Sequence, residues 1–101
     1  MTDIILTIKN ESLDLNVKGH ANYNPGADVV CSAISQLVCT FASLVEERTD
    51  IVINELYLDY ADVRINISNI NPIEAHIQFI IRGFELLEEA YEENVHFVLE
   101  N

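Results

Sequence analysis

Asp28-Val29-Val30-Cys31-Ser32-Ala33-Ile34-Ser35-Gln36-Leu37-Val38-Cys39-Thr40-Phe41-Ala42-Ser43-Leu44-Val45-Glu46-Glu47 is the stretch on which the fold turns. Val30, Ile34, Leu37, Phe41 and Leu44/Val45 recur at helical spacing and are expected to face the core. Asp28 can cap this helix, because a carboxylate just before the first turn accepts hydrogen bonds from its unpaired N–H groups. Asn24 before Pro25 is a second candidate cap, which would start the helix earlier. A second stripe, Cys31, Ser35, Cys39 and Ala42, is made of small residues that let another backbone approach closely. It is expected to lie against strands or at a site.

The pattern on either side of this helix changes to strand. Upstream, Ile4, Leu6 and Ile8 alternate, then Leu13, Leu15 and Val17, with Asn10-Glu11-Ser12 as the turn between them. Residues 19–27 crowd Gly, Asn and Pro together and read as a loop. Downstream, Ile51-Val52-Ile53 and Leu56-Tyr57-Leu58 lead into a turn at Tyr60-Ala61-Asp62, and Val63, Ile65 and Ile67 alternate on the way back. Asn71-Pro72 has the form of a helix start. Ile73, Ile77, Ile80, Phe84, Leu87 and Tyr91 then hold a helical period, while Phe79, Leu86 and Ala90 beside Gly83 widen the apolar face toward either core or a dimer contact. Val95, Phe97 and Leu99 close with a strand. The order ββ-α-ββ-α-β predicts an α+β fold, with two long amphipathic helices on a mainly antiparallel sheet, in a single domain over residues 1–101.

Composition narrows the function classes. The chain has 101 residues, half of them hydrophobic, enough for a packed core without metal or disulfide staples. Seventeen acidic residues against five basic ones give a net charge of -12. Such a surface repels nucleic acid and anionic lipid and favours a basic partner. Unbroken apolar runs are short of a membrane span, and Met1-Thr2-Asp3 lacks a signal-peptide start. Cys31 and Cys39 on one helix would stand ~12 Å apart, too far for a disulfide. A reduced, cytoplasmic protein is expected.

His20 at a strand end and Cys31 in the first turn of a helix form the chemical constellation of interest. A cysteine peptidase needs a thiolate and an imidazole that first holds its proton and then delivers it to the leaving amine. A helix N-terminus favours negative sulfur, and its N–H groups are expected to cradle an oxyanion as well. Cys39 reads as a buried core thiol. His76, in the first turn of the second helix, reads as solvated or packed, and His96 as exposed. No zinc-ligand spacing, phosphate loop or dinucleotide glycine pattern occurs, so neither a metal nor an organic cofactor is expected. The glutamates from Glu85 to Glu93 read as a solvated helix face.

The segment Gly19-His20-Ala21-Asn22-Tyr23, followed by Gly26-Ala27-Asp28-Val29-Val30-Cys31-Ser32-Ala33-Ile34-Ser35, resembles the signature of the ribosomal-processing cysteine protease family, Prp. That signature runs Gly-His-Ala-Gly-Tyr, a short variable loop, then Gly-x-Asp-Ile-Val-Cys-Ala-Ala-Val-Ser. The preceding hairpin and the closing helix and strand also fit, so the resemblance covers the whole domain. Asn22 in place of Gly, Asn24-Pro25 in the loop and Ser32 in place of Ala are departures from it. The resemblance implies a bacterial cytoplasmic endopeptidase that trims a short N-terminal extension from large-subunit ribosomal protein twenty-seven and forms homodimers. It implies Cys31 as nucleophile and His20 as general base and acid, with Gly19, Asp28 and Ser35 as supporting residues. Asp28 is left as either helix cap or orienter of His20. On the residues alone, a peptide-binding relative that no longer cuts and a structural or redox-active thiol protein also stay open.

Overall fold

A computed structural model describes residues 1–24 and 26–101. The cap reading that involves Pro25, and the effect of Pro25 on the loop, lie outside the described residues. Strands β1 (Thr2–Lys9) and β2 (Ser12–Lys18) form the first hairpin, and helix α1 (Val29–Glu47) follows the loop. Strands β3 (Val52–Asp59) and β4 (Asp62–Ser68) form the second hairpin. A single 3-10 turn, Asn71–Ile73, precedes helix α2 (Glu74–Ala90), and β5 (Val95–Glu100) ends the chain.

The five strands lie in the order β3-β4-β2-β1-β5. The β1–β2, β2–β4 and β3–β4 pairings are antiparallel, and only β5 runs parallel to its neighbour β1. The sheet is therefore mixed and mainly antiparallel. Alternation decides which face is covered. Ile4 and Leu6 of β1, Leu13, Leu15 and Val17 of β2 and Ile65 and Ile67 of β4 are buried, whereas Ile5 between two of them is exposed. Both helices pack on that buried face, giving two layers around one core.

Asp28 caps α1 with its side chain, as its position before the first turn suggested. The buried face of α1 is Val30, Ile34, Val38, Phe41, Ala42 and Val45. Leu37 and Leu44, expected inside, are only partly buried, and Val38 and Ala42 take their place. The methyls of Leu37 lie against Gly83 of α2, where an added Cβ would stand 2.9 Å away. By length and composition α1 could cross a membrane, with a mean hydropathy of 1.7. Val30, Ile34, Val38, Phe41, Ala42 and Val45 are instead buried in the core with the sheet residues, and Glu46 and Glu47 end the helix.

The second half brings two corrections and closes one alternative. Asn71 does not cap α2; its amide donates to Glu11 Oε1 at 2.8 Å, and the 3-10 turn begins without a side-chain cap. Phe79, Leu86 and Ala90 do not extend the core, since all three are exposed, Phe79 at 73%. Cys39 is exposed as well, not a core thiol. Its face of α1 looks toward β3, an edge strand whose residues are almost all exposed and which does not cover it. Cys31 and Cys39 are free thiols.

Candidate active site

Gly19 is the point where the chain leaves β2 for the loop. Its φ of +92° is open to glycine, and a Cβ there would stand 2.5 Å from the Met1 carbonyl oxygen. Its N–H donates to the Ala61 carbonyl at 3.0 Å, and its own carbonyl accepts from Thr2 Oγ1 at 3.3 Å. The next residue, His20, therefore emerges from a segment held between the start of β1 and the β3–β4 turn. Ala21 is buried, and its carbonyl accepts from Asn94 Nδ2 at 2.9 Å. Its N–H donates to Cys31 Sγ at 3.3 Å, which ties the residue after the histidine to the sulfur. Asn22 sits at φ +57°, so the place where the family signature has Gly is left-handed here, and Asn is among the residues that tolerate it.

Asp28 organises the other side of the loop. Its Oδ1 accepts from Val30 N–H at 2.9 Å and Cys31 N–H at 3.0 Å. Its Oδ2 accepts from Tyr23 N–H at 2.9 Å and Asn24 N–H at 3.4 Å. Desolvation pushes the carboxyl pKa up, but the N–H donors of Cys31, Tyr23, Asn24 and Val30 together outweigh it and hold the group below its ordinary value. Asp28 is thus a helix cap that also clamps the loop, and it does not orient His20. The N–H groups of Val30 and Cys31, two of those expected to cradle an oxyanion, serve Asp28. Farther along the loop, Tyr23 packs edge-on against Tyr91 at the end of α2, with ring centroids 5.2 Å apart.

His20 and Cys31 line one cavity of about 360 Å³. Gly19, Ser35 and Cys39 contribute to it, as do residues 58–63 of the second hairpin. The small-residue stripe of α1 therefore forms one wall and the β3–β4 tip the other. Cys31 is partly buried, whereas His20 is exposed and its ring packs against Tyr60 at 4.7 Å between centroids, tilted by 55°. Ser35, one turn from Cys31, faces the same space. Among the described residues, no group of three or more His, Cys, Asp or Glu side chains is placed to hold a metal ion.

The sequence pointed to His20, Cys31, Gly19, Asp28 and Ser35, and four of the five border this cavity, with Asp28 beneath the loop. What it missed is that the tip of the second hairpin lines the cavity. In sequence Tyr60, Ala61 and Asp62 read only as a turn, and their sole signal is an aromatic residue at a hairpin tip. Tyr60 N–H donates to Asp59 Oδ1 at 2.7 Å, and the Tyr57 hydroxyl donates to Asp59 Oδ2 at 3.0 Å. That hydrogen bond, then the carboxylate charge, raises the Tyr57 phenol above its ordinary pKa. The glutamate-rich end of α2 is also more than a wet face, because Glu88 Oε2 accepts from Phe97 N–H at 2.7 Å.

Comparison with known proteins fits this geometry. The family model described as cysteine protease Prp matches residues 1–96. A crystal structure of the essential ribosomal processing protease Prp from S. aureus, with a covalently linked product peptide, shares the fold with a TM-score of 0.85. The two are 22% identical, over 99% of this chain and 100% of that one. The same S. aureus protease with a substrate peptide gives a TM-score of 0.75 at 19% identity, over 99% and 100% of the two chains. A protein from Streptococcus mutans gives 0.76 at 20% identity, over 99% of this chain and 94% of that one. No curated protein matches the chain. These structural likenesses establish the shared fold, and the family match, which spans nearly the whole length, establishes that the chain belongs to the cysteine protease Prp family and is a cysteine peptidase.

Proposed function

We propose that this protein is an endopeptidase that removes a short N-terminal extension from large-subunit ribosomal protein twenty-seven, using Cys31 as nucleophile and His20 as general base and acid. The observation that carries this reading is the shared cavity, which both His20 and Cys31 line while the Ala21 N–H donates to the sulfur. In the first step His20 takes the thiol proton and the sulfur attacks the scissile carbonyl carbon. The C–N bond then breaks as the imidazolium gives its proton to the leaving amine. In the second step His20 takes a proton from water as its oxygen attacks the thioester carbonyl, the C–S bond breaks to release the acid, and the imidazolium returns the proton to the departing sulfur, restoring the thiol. The S. aureus relative holds its product peptide covalently, which supports a covalent route here.

Charge supports a basic substrate. With a net charge of -12, the protein attracts a basic ribosomal protein, most strongly at low ionic strength. The family resemblance supports a cytoplasmic site of action and a homodimeric state. Gly19 and Asp28 act as supports in this reading, the first by shaping the exit from β2 and the second by holding loop and helix together. Ser35 lines the floor beside the nucleophile.

Incubating the purified protein with a peptide spanning the leader and the first residues of the mature ribosomal protein tests the proposal. Two fragments by mass are expected from wild type and an intact peptide from Cys31→Ala and from His20→Ala, with all three proteins folded. Binding of the leader without cutting by wild type would replace the reading with that of a silent peptide-binding relative.

A further inference from the structure

We propose that Tyr60, at the tip of the β3–β4 hairpin, is the positioning residue that orients the His20 imidazole toward Cys31. The inference rests on the reading of His20 and Cys31 as the reacting pair. A base that serves a nucleophile needs a further group to set the plane and direction of its ring. The carboxylate best placed in sequence for that task, Asp28, commits both oxygens to four backbone N–H groups. Among the described residues, no side chain hydrogen-bonds to His20, and its ring contact is with Tyr60, at 4.7 Å and 55°. That separation lies within the range in which tilted rings attract one another.

The hairpin tip has the stiffness this task requires. Asp59 accepts from the Tyr60 N–H at 2.7 Å and from the Tyr57 hydroxyl at 3.0 Å, and the Arg64 guanidinium lies 4.4 Å over the Tyr57 ring. Ala61 holds a left-handed backbone at φ +63°, a conformation that a residue with a Cβ keeps only where its surroundings enforce it. Its carbonyl accepts the Gly19 N–H at 3.0 Å, so the hairpin grips the chain one residue before the histidine. Two links thus join the tip to the His20 segment, one through backbone and one ring to ring. Tyr60 is 81% exposed, so its ring adds little to the core. A ring contact also leaves both imidazole nitrogens open for proton transfer, where a hydrogen-bonding partner would occupy one.

The test compares Tyr60→Ala, Tyr60→Leu and Tyr60→Phe in leader-peptide cleavage, with thermal unfolding as the check on folding. Tyr60→Ala and Tyr60→Leu are expected to lower kcat roughly tenfold or more with KM little changed, because a misplaced base slows chemistry and not binding. Tyr60→Phe keeps the ring and is expected to restore kcat. The His20 ring-proton resonances should move in the Ala and Leu variants and stay in the Phe variant. In a His20→Ala background, Tyr60→Ala should cause no further loss. Unchanged kcat in both ring-deleted variants, a rise in KM alone, or equal damage from Tyr60→Phe would overturn the positioning role. Full cleavage by His20→Ala would instead overturn the reading of the pair itself.

Discussion

Replacing Gly19 by Ala measures how firmly the fold holds the segment that carries His20. Two costs can be worked out separately. A side chain at φ +92° is disfavoured by about 1–2 kcal/mol. The added Cβ also lands 2.5 Å from the Met1 carbonyl oxygen, which is backbone and cannot swing aside. Neighbouring Thr2 donates its N–H to the Asn94 carbonyl at 2.9 Å and its hydroxyl to Gly19 itself, so relief must break native contacts. Overpacking of this kind adds about 1–3 kcal/mol. The sum, about 2–5 kcal/mol, is a large part of the roughly 5–15 kcal/mol that stabilises a domain of this size. Gly26 provides the control. It has the same φ of +92° with, among the described residues other than its chain neighbours, nothing within 4 Å, so Gly26→Ala should lose only the first part. Urea unfolding followed by circular dichroism gives both losses from shifts in the midpoint. Gly19→Ala should also cut roughly a hundredfold more slowly where it remains folded, since a displacement of about 1 Å at His20 suffices for that. Equal losses at the two glycines, or a Gly19→Ala variant as stable and active as wild type, would refute the reasoning.

Other expectations concern the cap, the core and the thiols. The Asp28 carboxyl is held below its ordinary value of 3.8, so its stabilising effect is complete above that pH and lost as pH falls through the lower folded value. Thermal midpoints measured from pH 6 down to pH 2 should show an acid-side fall in wild type that is smaller in Asp28→Asn. Phe84 is fully buried and packs against Phe97 at 5.4 Å, so Phe84→Ala should cost about 3–5 kcal/mol in urea unfolding. Alkylation mapped by mass should label exposed Cys39 at the same rate in wild type and His20→Ala, while labelling of Cys31 slows when His20 is removed.

The parts of this fold that could be read in advance are those set by short-range periodicity. Alternation in β1, β2 and β4 and the helical spacing from Val30 to Val45 place the core face because each side chain's direction follows from backbone geometry. Asp28 was legible as a cap for the same local reason. What escaped depends on how elements meet. The exposure of Cys39 follows from β3 lying at the sheet edge, beyond the cover of α1, and no residue near Cys39 encodes that. The partners of Asp28 include Tyr23 and Asn24, which reach it only when the loop folds back. Tyr60 meets His20 across forty residues of chain because β4 pairs with β2, which brings the turn before β4 to the end of β2. Pairing of Lys18 with Asp62 is the register that makes that meeting possible.

The central claim is that His20 and Cys31 together perform acyl transfer on a peptide bond. Acid-quenched samples taken during turnover of the leader peptide, with protein and fragments weighed in the same spectrum, test it most directly. Wild type should yield two fragments and a fraction of protein heavier by the acyl part of the leader, mapped to Cys31, and Cys31→Ala should yield neither. An adduct on Cys39, or undiminished cutting by Cys31→Ala, would contradict the account.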